Sequence, residues 1–162
     1  MRAGVFAGHC QNFSGEQVED DAIFVGTSLS GNGLPHKKGE WARFGIVDPK
    51  TKDTVFQHEF EGYAGVRVLA YDQQSRRVFL AVGGKPMLFD SKVRGFVKDL
   101  DGAAKVGGRS VAVPGDGSVV YGSGKSVVRL DMRTGETSVV VEAPENVHNV
   151  AVGPNGELYI SC

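Results

Sequence analysis

An all-β fold assembled from repeated small sheets is what this sequence predicts, and three observations predict it. Glycine supplies 23 of 162 residues, about twice the usual share of roughly 7%. Those glycines fall between short runs rich in valine, the way a chain of many short strands and tight turns is written. The runs also recur. The cores Leu69-Ala70-Tyr71, Val111-Ala112-Val113 and Val150-Ala151-Val152 begin 42 and then 39 residues apart, and Val47-Asp48, Phe89-Asp90 and Leu130-Asp131 are spaced by 42 and 41. Finally, 109–142 resolves into four strands, 109–114, 118–123, 126–132 and 137–142. They are parted by Gly115-Asp116-Gly117, Gly124-Lys125 and Arg133-Thr134-Gly135. Four strands in a period near 41 residues are the form of a β-propeller blade. No blade buries both faces of its sheet alone. Each Val, Leu or Phe buried between blades contributes roughly 1.5–3 kcal/mol, so blades must stack. Helical repeats of similar length need amphipathic runs that Gly and Pro interrupt here.

In order along the chain, 4–9 is a candidate strand, and 11–21 reads as a polar loop carrying Glu16, Glu19, Asp20 and Asp21. Asp20 and Asp21 are oxygen donors of the kind a divalent cation takes, although a solvated loop accounts for them. Asn12-Phe13-Ser14 matches a glycosylation acceptor, which matters only in an exported protein. The stretch 22–28 is a strand, and 29–40 is a Gly/Pro/Lys-rich insertion. In 41–48 the apolar positions Trp41, Phe44 and Ile46 slip at Ala42-Arg43, which predicts a bulge there. Pro49-Lys50-Thr51-Lys52 is a turn. The strand 53–60 alternates Val55, Gln57 and Glu59 with Phe56, His58 and Phe60. The next unit has strands at 66–71, 77–82, 87–90 and 95–100, with turns at 72–76 and Gly83-Gly84-Lys85-Pro86. A last unit has strands at 147–152 and 157–162 around Gly153-Pro154-Asn155-Gly156. The blades expected are thus 1–60, 65–100, 107–142 and 147–162 in one domain, three and a half in all. Three arrangements accommodate that number: part of a longer propeller, two copies closing a seven-bladed ring, or a four-bladed ring whose last blade is completed by the N-terminal segment.

The aspartates that close the third strands, Asp48, Asp90 and Asp131, have a structural task. A carboxylate there accepts backbone N–H groups across the turn, and Gly135 supplies the left-handed residue.

Composition narrows the partners. The net charge of -1 gives no electrostatic reason to expect nucleic acid or an anionic membrane surface, and no run reaches the roughly 18 apolar residues of a span. Cys10 and Cys162 read as two free thiols, with a bridge joining the ends as the alternative. The compartment follows the chain's extent: cytoplasmic if these residues are all of it, exported if a signal lies outside them.

Val150-Ala-Val-Gly-Pro-Asn-Gly-Glu-Leu-Tyr-Ile-Ser161 resembles the "apolar–x–apolar–x–P–(D/N)–G–x–(L/I)–(Y/W)" signature of bacterial propellers of the NHL, YVTN, PQQ-like and gluconolactonase-like superfamily. Ile46-Val-Asp-Pro-Lys-Thr-Lys52 and Leu130-Asp-Met-Arg-Thr-Gly-Glu136 resemble the "(I/L)–D–x–x–T–G" turn of the same families. The stretch from Ile23 to Gly33 resembles a blade of bacterial propellers linked to polysaccharide processing. There is no WD dipeptide at a third-strand end, which disfavours the WD-repeat class. The resemblance implies a fold, and these motifs are turn chemistry rather than activity.

By analogy with that fold, ligands bind where loops enter the innermost strands. Here those loops contain Arg67, Arg109, Ser110, His148 and Asn149, with His36, Lys37 and Lys38 of the insertion on the same face. Arg67 and Arg109 hold matching places and suit a carboxylate, as in an acidic sugar. His148 is of the type that serves as acid/base or metal ligand, and a divalent cation is the cofactor such a site would admit. Other motifs fail. Gly122-Ser-Gly-Lys-Ser126 lacks the first glycine of a phosphate loop, since position 119 is Val119. No Cys/His spacing suits zinc, and no Gly-x-Ser-x-Gly elbow is present. The expectation is a domain that binds a small polar ligand, such as carbohydrate, or a partner protein on its channel face. The alternatives are a sugar lyase or lactone hydrolase acting there, or a purely structural assembly module.

Overall fold

The computed structural model describes residues 14–19, 22–29, 39–97, 100, 102–108 and 110–162. Among these residues every regular element is a strand. The first sheet holds β1 (Ser14–Glu19), β2 (Ala22–Gly26), β3 (Ala42–Val47) and β4 (Thr54–Phe60). The second holds β5 (Val66–Asp72), β6 (Arg77–Val82), β7 (Lys85–Asp90) and β8 (Gly95–Phe96). The third holds β9 (Val111–Ala112), β10 (Ser118–Ser123), β11 (Ser126–Asp131) and β12 (Thr137–Glu142). β13 (Asn149–Val152) and β14 (Leu158–Ser161) form a two-stranded fourth sheet. Spatial order in each sheet is chain order. The fold is all-β, built from four-stranded antiparallel sheets of the propeller-blade type.

Two expectations are corrected. The polar segment 11–21 is not all loop, because β1 pairs antiparallel with β2 from Ser14↔Gly26 to Glu19↔Ala22. A sequence without alternating apolar residues is recruited by the open backbone edge of β2, and context overrides propensity. The bulge lies between Ile46 and Val47, not at Ala42-Arg43. Ala42, not Trp41, completes the buried row with Phe44 and Ile46, so the alternation needs no slip there. The candidate strand 4–9, Cys10, and Asp20 with Asp21 lie outside the described residues. Cys162 is a free, exposed thiol.

The middle strands explain why their sequences lack alternation. In β6 and in β10 five of six residues are buried, all but the first in β6 and all but the last in β10, as expected of strands covered on both faces. The outermost strands β4 and β12 are largely exposed.

Contacts divide the chain into two units, Met1–Val68 with Leu80–Gly83, and Leu69–Phe79 with Gly84–Cys162. In the first, Phe24 stacks on Phe44 at 6.2 Å between ring centroids. The start of β5 is drawn against the end of β2 by Val66 N–H donating to Thr27 O (2.9 Å). In the second, Phe79 packs on Tyr121 at 5.5 Å. A cluster of Ala112, Val120, Val127, Val147 and Val150 seats the fourth sheet on the third. Tyr121 Oη donates to Ala104 O (3.1 Å), and burial pushes its phenol up to about 12.

Register places Gly26, Ala81 and Gly122 at one equivalent position, the fifth residue of β2, β6 and β10. At Gly26 a Cβ would sit 2.4 Å from Val66 O, and at Gly122 it would lie 2.8–2.9 Å from Val147. A small residue here lets the segment leading to the next inner strand cross the sheet in contact with its backbone.

Candidate functional site

The site-bearing part of the second unit is where three connections meet: the segment entering β9, the segment entering β13, and the turn between β10 and β11. The backbone N–H groups of Gly107 and Gly108 both donate to Gly122 O, at 2.8 and 3.2 Å. Val147 N–H donates to Gly124 O and Ala143 N–H to Lys125 O, both at 2.7 Å. A Cβ on Gly108 would stand 3.1 Å from the His148 carbonyl, so the two entering segments touch through backbone.

Side chains finish the junction. Ser110 precedes β9 and uses its hydroxyl as a ladder partner for β13. Val150 N–H donates to Ser110 Oγ (3.0 Å), and Ser110 Oγ has Val150 O as an acceptor at 3.2 Å. Asn149 Oδ1, 3.5 Å from the same hydroxyl, is a second acceptor. Asn149 Nδ2 donates to Ser161 Oγ (3.1 Å), and His148 N–H donates to Ser161 O (2.8 Å). His148, Asn149 and Ser161 are exposed, whereas Val147 and Val150 on either side are buried. Two buried valines therefore fix the backbone, and the polar groups between them face solvent.

Of the residues singled out from sequence, Ser110, His148 and Asn149 are thus brought together. Arg67 belongs to the first unit, half-buried on β5, where burial pushes its guanidinium pKa down. It stays cationic near neutrality all the same. Arg109, His36, Lys37 and Lys38 lie outside the described residues. Ser161 was missed, because its only sequence signal is its place in the strand that pairs with Asn149. His58 is exposed on β4, its ring 4.6 Å from that of Phe60 in an edge-on arrangement. Among the described residues no group of three or more His, Cys, Asp or Glu is placed to hold a metal ion, and no helix is long and apolar enough to cross a membrane.

The other end of the strands carries the acidic residues, and their carboxylates serve the turns. Asp48 Oδ1 accepts the N–H groups of Lys50 (2.7 Å) and Thr51 (3.1 Å). Asp90 Oδ1 accepts those of Lys92 (2.9 Å) and Val93 (3.1 Å). Asp131 Oδ1 accepts those of Arg133 and Thr134, both at 2.8 Å. The Thr51 and Lys50 amides hold the Asp48 carboxyl below its ordinary value, and those of Thr134 and Arg133 do the same at Asp131. Asp116 is held down by the Ser118 hydroxyl, 2.5 Å away, and pairs with Arg129. A polar cleft lined by Asp72, Ser75, Asp116, Asp131 and Arg133 results from these capped turns. The Asp72 carboxylate accepts Ser75 N–H at 2.8 Å.

No protein-family model matches the chain, and no curated protein matches it. Solved structures do resemble it. The dihydro-heme d1 dehydrogenase NirN in complex with DHE aligns over 74% of this chain and 27% of its own, at 17% identity and a TM-score of 0.55. The uncharacterized protein lmo1340 of Listeria monocytogenes EGD-e aligns over 86% and 43%, at 14% identity and 0.51. The Dos1 propeller aligns over 87% and 36%, at 11% identity and 0.59. The chain thus spans between about a quarter and two-fifths of these proteins. At such identities the likeness carries the propeller fold and nothing finer.

Proposed function

We propose that this β-propeller domain binds a small polar ligand, with carbohydrate the class its chemistry suits best, at the junction of the segments entering β9 and β13. The observation that supports this reading is the Ser110–Asn149–Ser161 network with exposed His148 beside it. It offers hydroxyl, amide and imidazole groups, donors and acceptors in alternation and without fixed charge, on backbone held by buried Val147 and Val150. Neutral hydroxyl-rich ligands match such a surface, because each ligand hydroxyl both gives and takes a hydrogen bond. Pre-set polar groups on rigid backbone also lower the ordering cost of binding.

The test is a titration of the isotope-labelled chain with a panel of neutral and uronic-acid oligosaccharides, read as amide shifts. Saturable changes at Ser110, His148, Asn149 and Ser161, weakened about tenfold by Asn149→Ala, are expected. Shifts confined to the Asp48, Asp90 and Asp131 turns, or none with any sugar of the panel, would overturn the reading.

A further inference from the structure

Among the described residues, those other than glycine that hold φ in the left-handed region are Lys52 at 63°, Arg76 at 56° and Arg94 at 54°. All are basic and all are exposed. Each sits in a turn at the aspartate-capped end of the strands. That conformation suits glycine, and after it asparagine or aspartate, whose short side chains bond locally. A long basic side chain gains nothing local there. Strain that recurs with one side-chain chemistry points to a use for the side chain beyond the turn.

Two of these residues meet in the second unit. Ser91 N–H and Ser91 Oγ both donate to Arg76 O, at 2.9 and 3.0 Å. The bonds tie the turn between β5 and β6 to the turn between β7 and β8, and they set Arg76 beside Lys92-Val93-Arg94. The carboxylates of these turns are held by backbone: Asp72 accepts from Ser75 N–H, and Asp90 from Lys92 and Val93 N–H. Neither Arg76 nor Lys92 makes an ion pair among the described residues. Val93, between two cations, is 72% exposed.

We propose that Arg76, Lys92, Val93 and Arg94 form a docking surface for an acidic segment of a partner protein that also carries an apolar side chain. Charge complementarity selects the acidic partner, and guanidinium groups suit carboxylates through paired N–H donors. Exposed Val93 offers an apolar contact that a chain of uronic acids or phosphates does not answer. Three basic residues without an inserted apolar anchor are too few to hold an anionic membrane. The surface lies at the opposite end of the strands from Ser110 and Asn149, so it stands independently of sugar binding there.

The probe is a nonapeptide of three Glu-Glu-Leu repeats, titrated into the isotope-labelled chain and read as amide shifts. Saturable shifts at Arg76, Ser91, Lys92, Val93 and Arg94 are expected, and they should weaken as salt is raised. Arg94→Gly should weaken binding about threefold, and Arg76→Gly combined with Arg94→Gly about tenfold. Neither variant should lower Tm, because glycine accepts the same backbone conformation. Val93→Ser should weaken binding about threefold through the lost apolar contact. Absence of saturable shifts at these residues, or unchanged affinity in the double variant, would overturn the proposal. So would equal binding of polygalacturonate or of phosphatidylserine vesicles, a result that would leave the peptide's apolar side chain no part in recognition.

Discussion

The two ends of each blade are held by different means. At one end, the turn that leaves the third strand is self-contained. Asp48, Asp90 and Asp131 each accept the N–H groups two and three residues on. The fourth residue after each, Lys52, Arg94 and Gly135, has a positive φ of 63°, 54° and 78°. The device is built three times from residues within one hexapeptide. At the other end, nothing is local. Gly26 is fitted to Val66, Gly122 to Val147, and Ser110 to Val150, partners 25 to 40 residues apart, and each junction differs. The repeated end is architecture. The variable end can carry specificity, because changing its side chains does not disturb a turn the fold uses throughout.

That contrast predicts where substitutions will be costly. Gly26→Ala places a methyl 2.4 Å from a backbone oxygen, and Gly122→Ala places one 2.8–2.9 Å from Val147 side chain and carbonyl. Neither obstacle is the free end of a flexible side chain. Gly26→Ala should cost about 3 kcal/mol and Gly122→Ala about 2 kcal/mol, in the overpacking range. At this chain length each kcal/mol lowers Tm by about 2–4 °C. Ala81 already occupies the equivalent place in β6, so Ala81→Gly should cost less than either. Thermal unfolding of the three variants measures this directly, and equal Tm values for Gly26→Ala and wild type would break the comparison.

Ser110→Ala comes next. The Val150 amide, which is 3% exposed as a residue, would lose its acceptor at 3.0 Å. An unsatisfied buried N–H costs about 1–3 kcal/mol. Because Ser110 also bridges to Asn149, this variant should lower both stability and sugar affinity, whereas Asn149→Ala should lower affinity with little change in Tm. A chemical-denaturation midpoint for each, set beside the titration above, separates the two effects.

How much was legible in the sequence follows the same division. The turn aspartates and Gly135 could be read because their chemistry is local: spacing, residue type and turn geometry stand together in the chain. The middle strands β6 and β10 could be read from unbroken apolar runs. β1 could not, because what pairs it is the edge of β2 rather than any property of Ser14–Glu19. The bulge was misplaced for a related reason. Trp41 looked like the start of the buried row, and only packing shows that Ala42 fills it. At the site, Ser110, His148 and Asn149 were reached by aligning repeats. Their bonding was not, since a hydroxyl serving as a ladder partner 40 residues away leaves no mark on either segment.

The turn end should respond weakly. Asp131 has its carboxyl held below the ordinary value of 3.8 by the amides of Thr134 and Arg133. A depressed folded-state value means the group's contribution is present above the unfolded value and disappears as pH falls through the folded one. Asp131→Asn should therefore cost up to about 1 kcal/mol near pH 7, screened by solvent. The gap from wild type should close below pH 4, a convergence that unfolding curves at several pH values would show.

The smallest effect should be a gain. Arg94 holds φ 54° where the third turn has Gly135, and a side chain with a Cβ is strained in that region. Arg94→Gly removes the strain but also frees the unfolded chain, which cancels part of the benefit. The net should be a stabilisation of about 0.5 kcal/mol, or a Tm rise of roughly 1–2 °C. Gly135→Ala, the reverse change at the equivalent position, should destabilise more than Arg94→Gly stabilises, since its methyl would also press within 3.0 Å of Leu100. If the pair came out symmetric, the turn alone would set the cost. An asymmetry in this direction locates the excess in the contact between Gly135 and the second sheet's outer residues, Leu100 and Leu88.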